Sequence, residues 1–231
     1  MKPKEQPGRG GLVSLLLLLI VLIAMIPGRL FAQQNPNYPT WWYNYGVISG
    51  TTNDYAAANQ GQVKNIAVAA ISELDNDLVQ FGGSTLDGLA ATLSSTTSQT
   101  SDFAAVNLGQ LKNLAQPFYD RLLALGYLGP PLTSGTYPWI GLVANDFAVA
   151  NIGQVKNLFS FDVTYSSSND GIPDWWAQKY FPSTTGTSGV NPNAFVAWSG
   201  SQVTILEAYE NGWNPIDYYN GQTPTLSIVS V

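Results

Sequence analysis

One fifteen-residue unit occurs three times in this chain: NDYAAANQGQVKNIA at 53–67, SDFAAVNLGQLKNLA at 101–115 and NDFAVANIGQVKNLF at 145–159. Seven of its fifteen positions are identical in every copy: Asp54/Asp102/Asp146, Ala56/Ala104/Ala148, Asn59/Asn107/Asn151, Gly61/Gly109/Gly153, Gln62/Gln110/Gln154, Lys64/Lys112/Lys156 and Asn65/Asn113/Asn157. The copies start 48 and then 44 residues apart. That is the spacing of repeat architectures, in which one supersecondary unit cannot bury its apolar face without a neighbour. No other feature restricts the possible folds as strongly.

The centre of the unit has the chemistry of a helix start. Asn59, Asn107 and Asn151 are placed as N-caps, which accept from backbone N–H groups of the first turn. Gln62, Gln110 and Gln154, three residues on, can reach back to the cap as a capping box. The pairs Ala58–Val63, Val106–Leu111 and Ala150–Val155 have the offset of a hydrophobic staple. Val63, Ile66, Ala67, Ala70 and Leu74 then fall on one helical face; Leu111, Leu114, Ala115, Phe118 and Leu122 do so in the second copy, where Pro117 predicts a kink. Gly61, Gly109 and Gly153 lie inside the first turn, where glycine costs about 1 kcal/mol against alanine. Their retention predicts a close backbone approach, for example to an aromatic ring of a neighbouring unit. Two readings compete for the shared polar residues: a site repeated three times, or structure. The structural one fits better, because a catalytic site rarely recurs three times in a small chain. In it, Asp54, Asp102 and Asp146 close turns, the glutamines cap, and Lys64, Lys112 and Lys156 pair with nearby acids.

Composition excludes several classes of function. The 231 residues carry a formal net charge of −6 and an isoelectric point near 4.4, which does not suit binding to nucleic acid. With no cysteine and no histidine, disulfides, thiolate chemistry and the commonest general base and metal ligand are all missing. Charged residues are only 10 % and aromatics 12 %, so the bulk of the chain can build a core.

The N-terminus reads as an export address. Lys2, Lys4 and Arg9 precede an apolar run from Gly11 to Ile26, and Leu30-Phe31-Ala32 ends on a small residue. The expectation is a secretory signal spanning residues 1–32, cleaved after Ala32; the alternative is an uncleaved anchor that meets the membrane only through residues 11–26. Either reading puts the remainder outside the cytoplasm, attached or secreted. Cleavage removes four of nine positive and one of fifteen negative side chains, leaving a net charge of −9.

The pattern [NS]-D-[YF]-A-x-x-N-x-G-Q-[VL]-K-N, over roughly residues 40–162, resembles repeats in the N-terminal parts of large exported bacterial proteins, which often carry RHS/YD-type repeats or immunoglobulin-like domains further on. The resemblance implies a surface or secreted setting and brings no activity with it. The next segment, SSSNDGIPDWWAQKYF from Ser166, resembles thrombospondin type 3 and EF-hand-like calcium loops. Its ligand positions fall on Ser166, Ser168, Asp170, the Ile172 carbonyl, Asp174 and Ala177, with Gly171 at the turn. Only Asp170 and Asp174 remain as charged candidate metal ligands, so at most weak calcium binding is expected and no other cofactor. A second echo, SGSQVTILEAYENG at 199–212, has lost its acids but keeps Val203, Leu206 and Tyr209 at helical spacing, ended by Asn211-Gly212.

The expected architecture is therefore mainly α. Residues 33–162 form three turn-plus-helix repeats (units near 53–80, 101–125 and 145–162) packed as a small helical array, with a few short strands in the linkers. Residues 163–222 form a helical hairpin held by Trp175, Trp176, Tyr180, Phe181, Leu206 and Tyr209, and 223–231 begin a strand, as the first strand of a further domain would. Ser94 to Ser101 reads as a loop. The expected function is that of a non-enzymatic structural or interaction module at the cell surface, whose partner is a surface protein or glycan. One alternative is a carbohydrate- or peptide-binding module using Trp41, Trp42, Tyr43, Tyr45 and Trp139; full burial of Trp41 and Trp42 would count against it. Another is a weakly calcium-stabilised spacer. An enzyme is disfavoured: Glu73, Glu207 and Glu210 are the only glutamates after Ala32, all predicted on helix surfaces, and no nucleophile elbow, phosphate loop or metal cluster is visible.

Overall fold

Each copy of the repeated unit starts a helix where the capping residues predict one. A computed structural model describes residues 38–47, 53–82, 86–95, 100–140, 145–182, 189–199 and 202–217. Within them lie α1 (Thr40–Asn44), α2 (Gln60–Asp77), α3 (Asp87–Ser95), α4 (Leu108–Leu125), α5 (Ile152–Leu158), α6 (Asp174–Tyr180) and α7 (Ile205–Glu210), with 3-10 turns at Val79–Phe81 and Thr100–Phe103. The described part is mainly helical. The short linker strands expected from sequence are replaced by isolated antiparallel bridges: Ala57 with Asn151, Asn59 with Ala105, Asn107 with Val149, and Phe195 with Thr204. None of the described helices is long and apolar enough to cross a membrane. The expected export signal or anchor at 1–32 and the expected strand at 223–231 lie outside the described residues, as do 96–99; of the loop expected at 94–101, Ser94 and Ser95 instead end α3, and Thr100 and Ser101 open a 3-10 turn.

The three units bond to one another in a closed cycle. Ala58 N–H donates to Ala150 O (2.9 Å), Ala150 N–H to Val106 O (2.8 Å) and Val106 N–H to Ala58 O (3.0 Å). All three residues are buried. One residue beyond each cap, the first helical N–H reaches the next unit: Gln60 to Ala104 O, Leu108 to Ala148 O and Ile152 to Ala56 O, each 2.9 Å. The order runs first to second, second to third, and third back to first, which relates the units by an approximate threefold axis.

The apolar faces read from sequence are the buried ones. Val63, Ile66, Ala67, Ala70 and Leu74 of α2, and Leu111, Ala115, Phe118 and Leu122 of α4, are all in the core. α4 runs through Pro117 without ending. Glu73 departs from expectation: it is 4 % exposed, on the inner side of α2 rather than its surface.

Aromatic clips join α1 to the segment that follows α5. The indole N–H groups of Trp41 and Trp42 donate to Phe161 O (2.7 Å) and Phe159 O (2.9 Å). Trp41 stacks on Phe161 at 5.7 Å, and Phe118 meets Phe159 edge-on at 5.3 Å. The segment carrying α6 and α7 packs onto the same body, as all described residues fall within the single compact unit Pro36–Val231. Trp175 donates to Val163 O (2.9 Å), and Lys179 Nζ donates to Leu125 O (2.9 Å), placing a cation at the carbonyl end of α4. Trp176 touches Tyr180, Phe181 and Tyr209, and Phe81 bridges Trp175 and Tyr209. On α7 the fully inward residues are Ile205 and Ala208, while Leu206 and Tyr209 are half-buried; Val203, expected in the helical pattern, lies before the Thr204 cap and outside the helix.

Gly212, just after α7, lies against the 3-10 turn Val79–Phe81 that follows α2. Its φ is +68°, and a Cβ there would lie 2.0 Å from Gln80 O. Gly46 has φ +62° but open space around it. Gly212→Ala should therefore lower stability by about 2–4 kcal/mol, through both backbone strain and overlap. Gly46→Ala should cost only about 1–2 kcal/mol, from the backbone term alone. Urea denaturation of the two variants checks the difference, and equal losses would contradict this contact.

Candidate functional site

Six of the seven shared positions converge on the three junctions of the cycle. A helix start leaves four backbone N–H groups without intrahelical partners. Here Asn59 N–H donates to Gln62 Oε1 (3.0 Å) and Gln62 N–H to Asn59 Oδ1 (2.9 Å). The same reciprocal pair forms between Asn107 and Gln110 and between Asn151 and Gln154. The other two donors are met by the next unit: after the bonds to the shared alanines, Gly109 N–H donates to Asp146 O and Gly153 N–H to Asp54 O, each 2.9 Å.

These bonds correct the expectation about the glycines. Their neighbour is not an aromatic ring but the aspartate of the following unit. A Cβ on Gly61, Gly109 or Gly153 would lie 3.2, 3.1 or 3.2 Å from the Cβ of Asp102, Asp146 or Asp54, and 3.3 Å from its carbonyl oxygen. The aspartates likewise do more than close turns. Lys64 Nζ bonds Asp102 Oδ1, Lys112 bonds Asp146, and Lys156 bonds Asp54, each at 2.6 Å, so every pair spans two units. Asn65, Asn113 and Asn157 are the exception: all are exposed, and their side chains make no hydrogen bond to the described residues.

The turn before each helix closes through Ala56 N–H to Asn53 O, Ala104 N–H to Ser101 O and Ala148 N–H to Asn145 O. This puts the residue after each aspartate at the tip of its turn. Tyr55, Phe103 and Phe147 are accordingly 91 %, 87 % and 91 % exposed. Sequence reasoning passed over them, although the signal was there: the third position is aromatic in every copy.

The degenerate calcium loop keeps its turn and fills its ligand positions internally. Gly171 has φ +84°. Asp170 Oδ1 accepts from Ser166 Oγ (3.0 Å) and Ile172 N–H (2.9 Å), and Asp174 Oδ1 accepts from Ser167 N–H and Oγ. Gly189 lies against the loop, since a Cβ there would fall 2.5 Å from Asp170 Oδ2. Partial burial works against the Asp170 carboxylate, but hydrogen bonds from Ser168, Ile172 and Ser166 outweigh it and hold its pKa below the usual value. Asp170 and Asp174 thus sit in one loop, turned to serine hydroxyls and backbone N–H groups. Among the described residues no group of three or more His, Cys, Asp or Glu is placed to hold a metal ion. On α7, the Glu207 carboxylate closes a capping box with Thr204, whose backbone N–H and hydroxyl both lower its pKa.

Of the candidate sugar-stacking aromatics, Trp41 and Trp42 are fully buried and act as core anchors, whereas Tyr43 and Tyr45 are exposed and Trp139 is half-buried. Compared with known proteins, the chain matches no family model, no curated protein and no solved structure.

The ion pairs differ in how far the lysine is sheltered. The Lys156 side chain is 8 % accessible beside an Asp54 that is 49 % accessible; at the second junction Lys112 is 20 % and Asp146 53 % accessible. Asp54→Ala strands a sheltered ammonium and should cost about 1.5–3 kcal/mol. Asp146→Ala leaves a more hydrated lysine and should cost under about 1 kcal/mol. Equal costs in urea denaturation would contradict this ordering.

The hairpin carboxylates also predict a pH response. A depressed folded-state pKa contributes stability that is present above the unfolded value and lost as pH falls through the folded one. Stability should therefore fall as pH drops below the ordinary carboxylate range, less steeply in Asp170→Asn. Calcium at 1 mM, if bound only at millimolar strength, raises the melting temperature by no more than about 1–2 °C. Calorimetry reads both effects, and a larger calcium shift would restore a functional loop.

Proposed function

We propose that this chain is an exported, non-enzymatic structural and interaction module, in which the closed ring of three units is a rigid platform that presents its outer surface to a partner at the cell surface. The observation that carries the reading is the trio Tyr55, Phe103 and Phe147, three aromatic rings almost wholly exposed at equivalent turn tips. Exposed apolar rings repeated where the fold has no use for them mark a contact surface. The shared aspartates, asparagine caps, glutamines and lysines are committed to holding the units together, which leaves little for a catalytic set. The basic and apolar N-terminal run supports export. The resemblance of the repeats to those of large exported bacterial proteins agrees with this setting, and the serine-filled loop fits a spacer that holds its shape without calcium.

The test is to fractionate cells producing the full chain and the triple variant Tyr55→Ser/Phe103→Ser/Phe147→Ser, recording intact mass and melting temperature. The expected result is an extracytoplasmic native protein retained on the envelope, and a variant of equal melting temperature released into the medium. Cytoplasmic accumulation of the native chain, or identical partition of the two proteins, would overturn the reading.

A further inference from the structure

The three junctions of the ring are built alike but not closed alike. Where the third unit meets the first, the Lys156 ammonium lies 5.4 Å from the centre of the Tyr38 ring, and Tyr38 packs on Trp42. Where the second unit meets the third, a cleft of about 520 Å³ opens beside Lys112 instead. That volume falls within the usual range for small-molecule sites.

The lining of the cleft defines what could occupy it. One wall is apolar, formed by Leu111, Leu158 and the Pro138-Trp139 step. Trp139 is backed by Tyr137, stacked at 5.2 Å and 21°, and by Tyr119, edge-on at 5.1 Å, so its indole is held in place before any ligand arrives. The polar lining is made of amides: Asn145, Asn151, Gln154 and Asn157. The capping box already uses the side-chain oxygens of Asn151 and Gln154, which fixes both amide planes and leaves their NH₂ groups as donors. Among the described residues nothing bonds either side of the Asn157 amide, and it is one of the shared positions for which the ring has no use. The charged groups at the cleft, Lys112 and Asp146, neutralise each other at 2.6 Å.

A fixed indole, oriented amides and no net charge do not suit an anion or a cation. They suit a pyranose, whose C–H face lies on an aromatic ring while its hydroxyls exchange hydrogen bonds with planar amides. We propose that this cleft binds a neutral sugar within a glycan chain, with Trp139 stacking on the ring and Asn157, Asn151 and Gln154 bonding its hydroxyls. The site deepens the reading of the chain as an interaction module and rests on it, naming one class of partner.

The experiment is native electrophoresis of the purified protein through gels cast with hydroxyethylcellulose, mixed-linkage β-glucan, galactomannan or soluble starch, against a gel with none. The expected result is retardation in at least one polysaccharide, abolished by Trp139→Ala and weakened at least several-fold by Asn157→Ala, whose exposed side chain can be removed without changing the melting temperature. Should Trp139→Ala lose its near-ultraviolet circular dichroism, Asn157→Ala and Trp139→Tyr decide the matter, the tyrosine retaining part of the retardation. Unretarded migration in all four gels overturns the proposal. So does retardation that every variant preserves, or binding to a casein hydrolysate in place of the polysaccharides. These readouts involve neither export nor the turn-tip aromatics, so failure here leaves the surface-module reading standing, and failure of fractionation leaves the cleft standing.

Discussion

The ring depends on how the unpaired N–H groups at each helix start are supplied. In the second and third units each helix meets two of them itself, through its Asn–Gln box, and takes two from the carbonyls of the next unit's alanine and aspartate. A helix start is also the positive end of the helix dipole, and the donated carbonyls and aspartate carboxylates bring negative charge to it. No unit completes its own start, so no unit is a finished structure alone. This need explains why glycine is kept despite its cost in a helix: any side chain there would push back the carbonyl that the turn requires.

The local half of this arrangement is legible in the sequence. Cap, box, staple and buried face can all be read off Asn59, Gln62, Ala58 and Val63, because each depends on residues within one or two turns. The partners across the junctions cannot. Lys64 was expected to find an acid nearby, but the sequence does not say that this acid is Asp102 rather than Asp54; only closure of the cycle decides it. Glu73 was misplaced for the same reason, since helical spacing gives the angle between residues but not how far neighbouring elements wrap around the helix. The two tryptophans at 41 and 42 are a milder case: the sequence offers them as candidates for sugar stacking, and the carbonyls of Phe161 and Phe159 anchor them in the core instead.

The loop at 166–174 is closed by hydrogen bonds among its own residues. Asp170 and Asp174 now accept from hydroxyls and backbone N–H groups, and Gly189 presses into the space beside them. The loop's rigidity comes from hydrogen bonds and a tight backbone contact. The aromatic set of Trp175, Trp176, Phe81 and Tyr209 then fixes the segment carrying α6 and α7 to the ring, so that segment behaves as a buttress.

Closure in a circle also sets the timing of folding. The bond that completes the ring joins Lys156 to Asp54, positions 102 residues apart, and the first unit's turn supplies carbonyls used by the last helix. A chain made from its N-terminus onward therefore holds its first unit incomplete until the third is available. An open stack of repeats can settle one layer at a time; this arrangement has to wait for its last part, and then all three junctions form around one another at once.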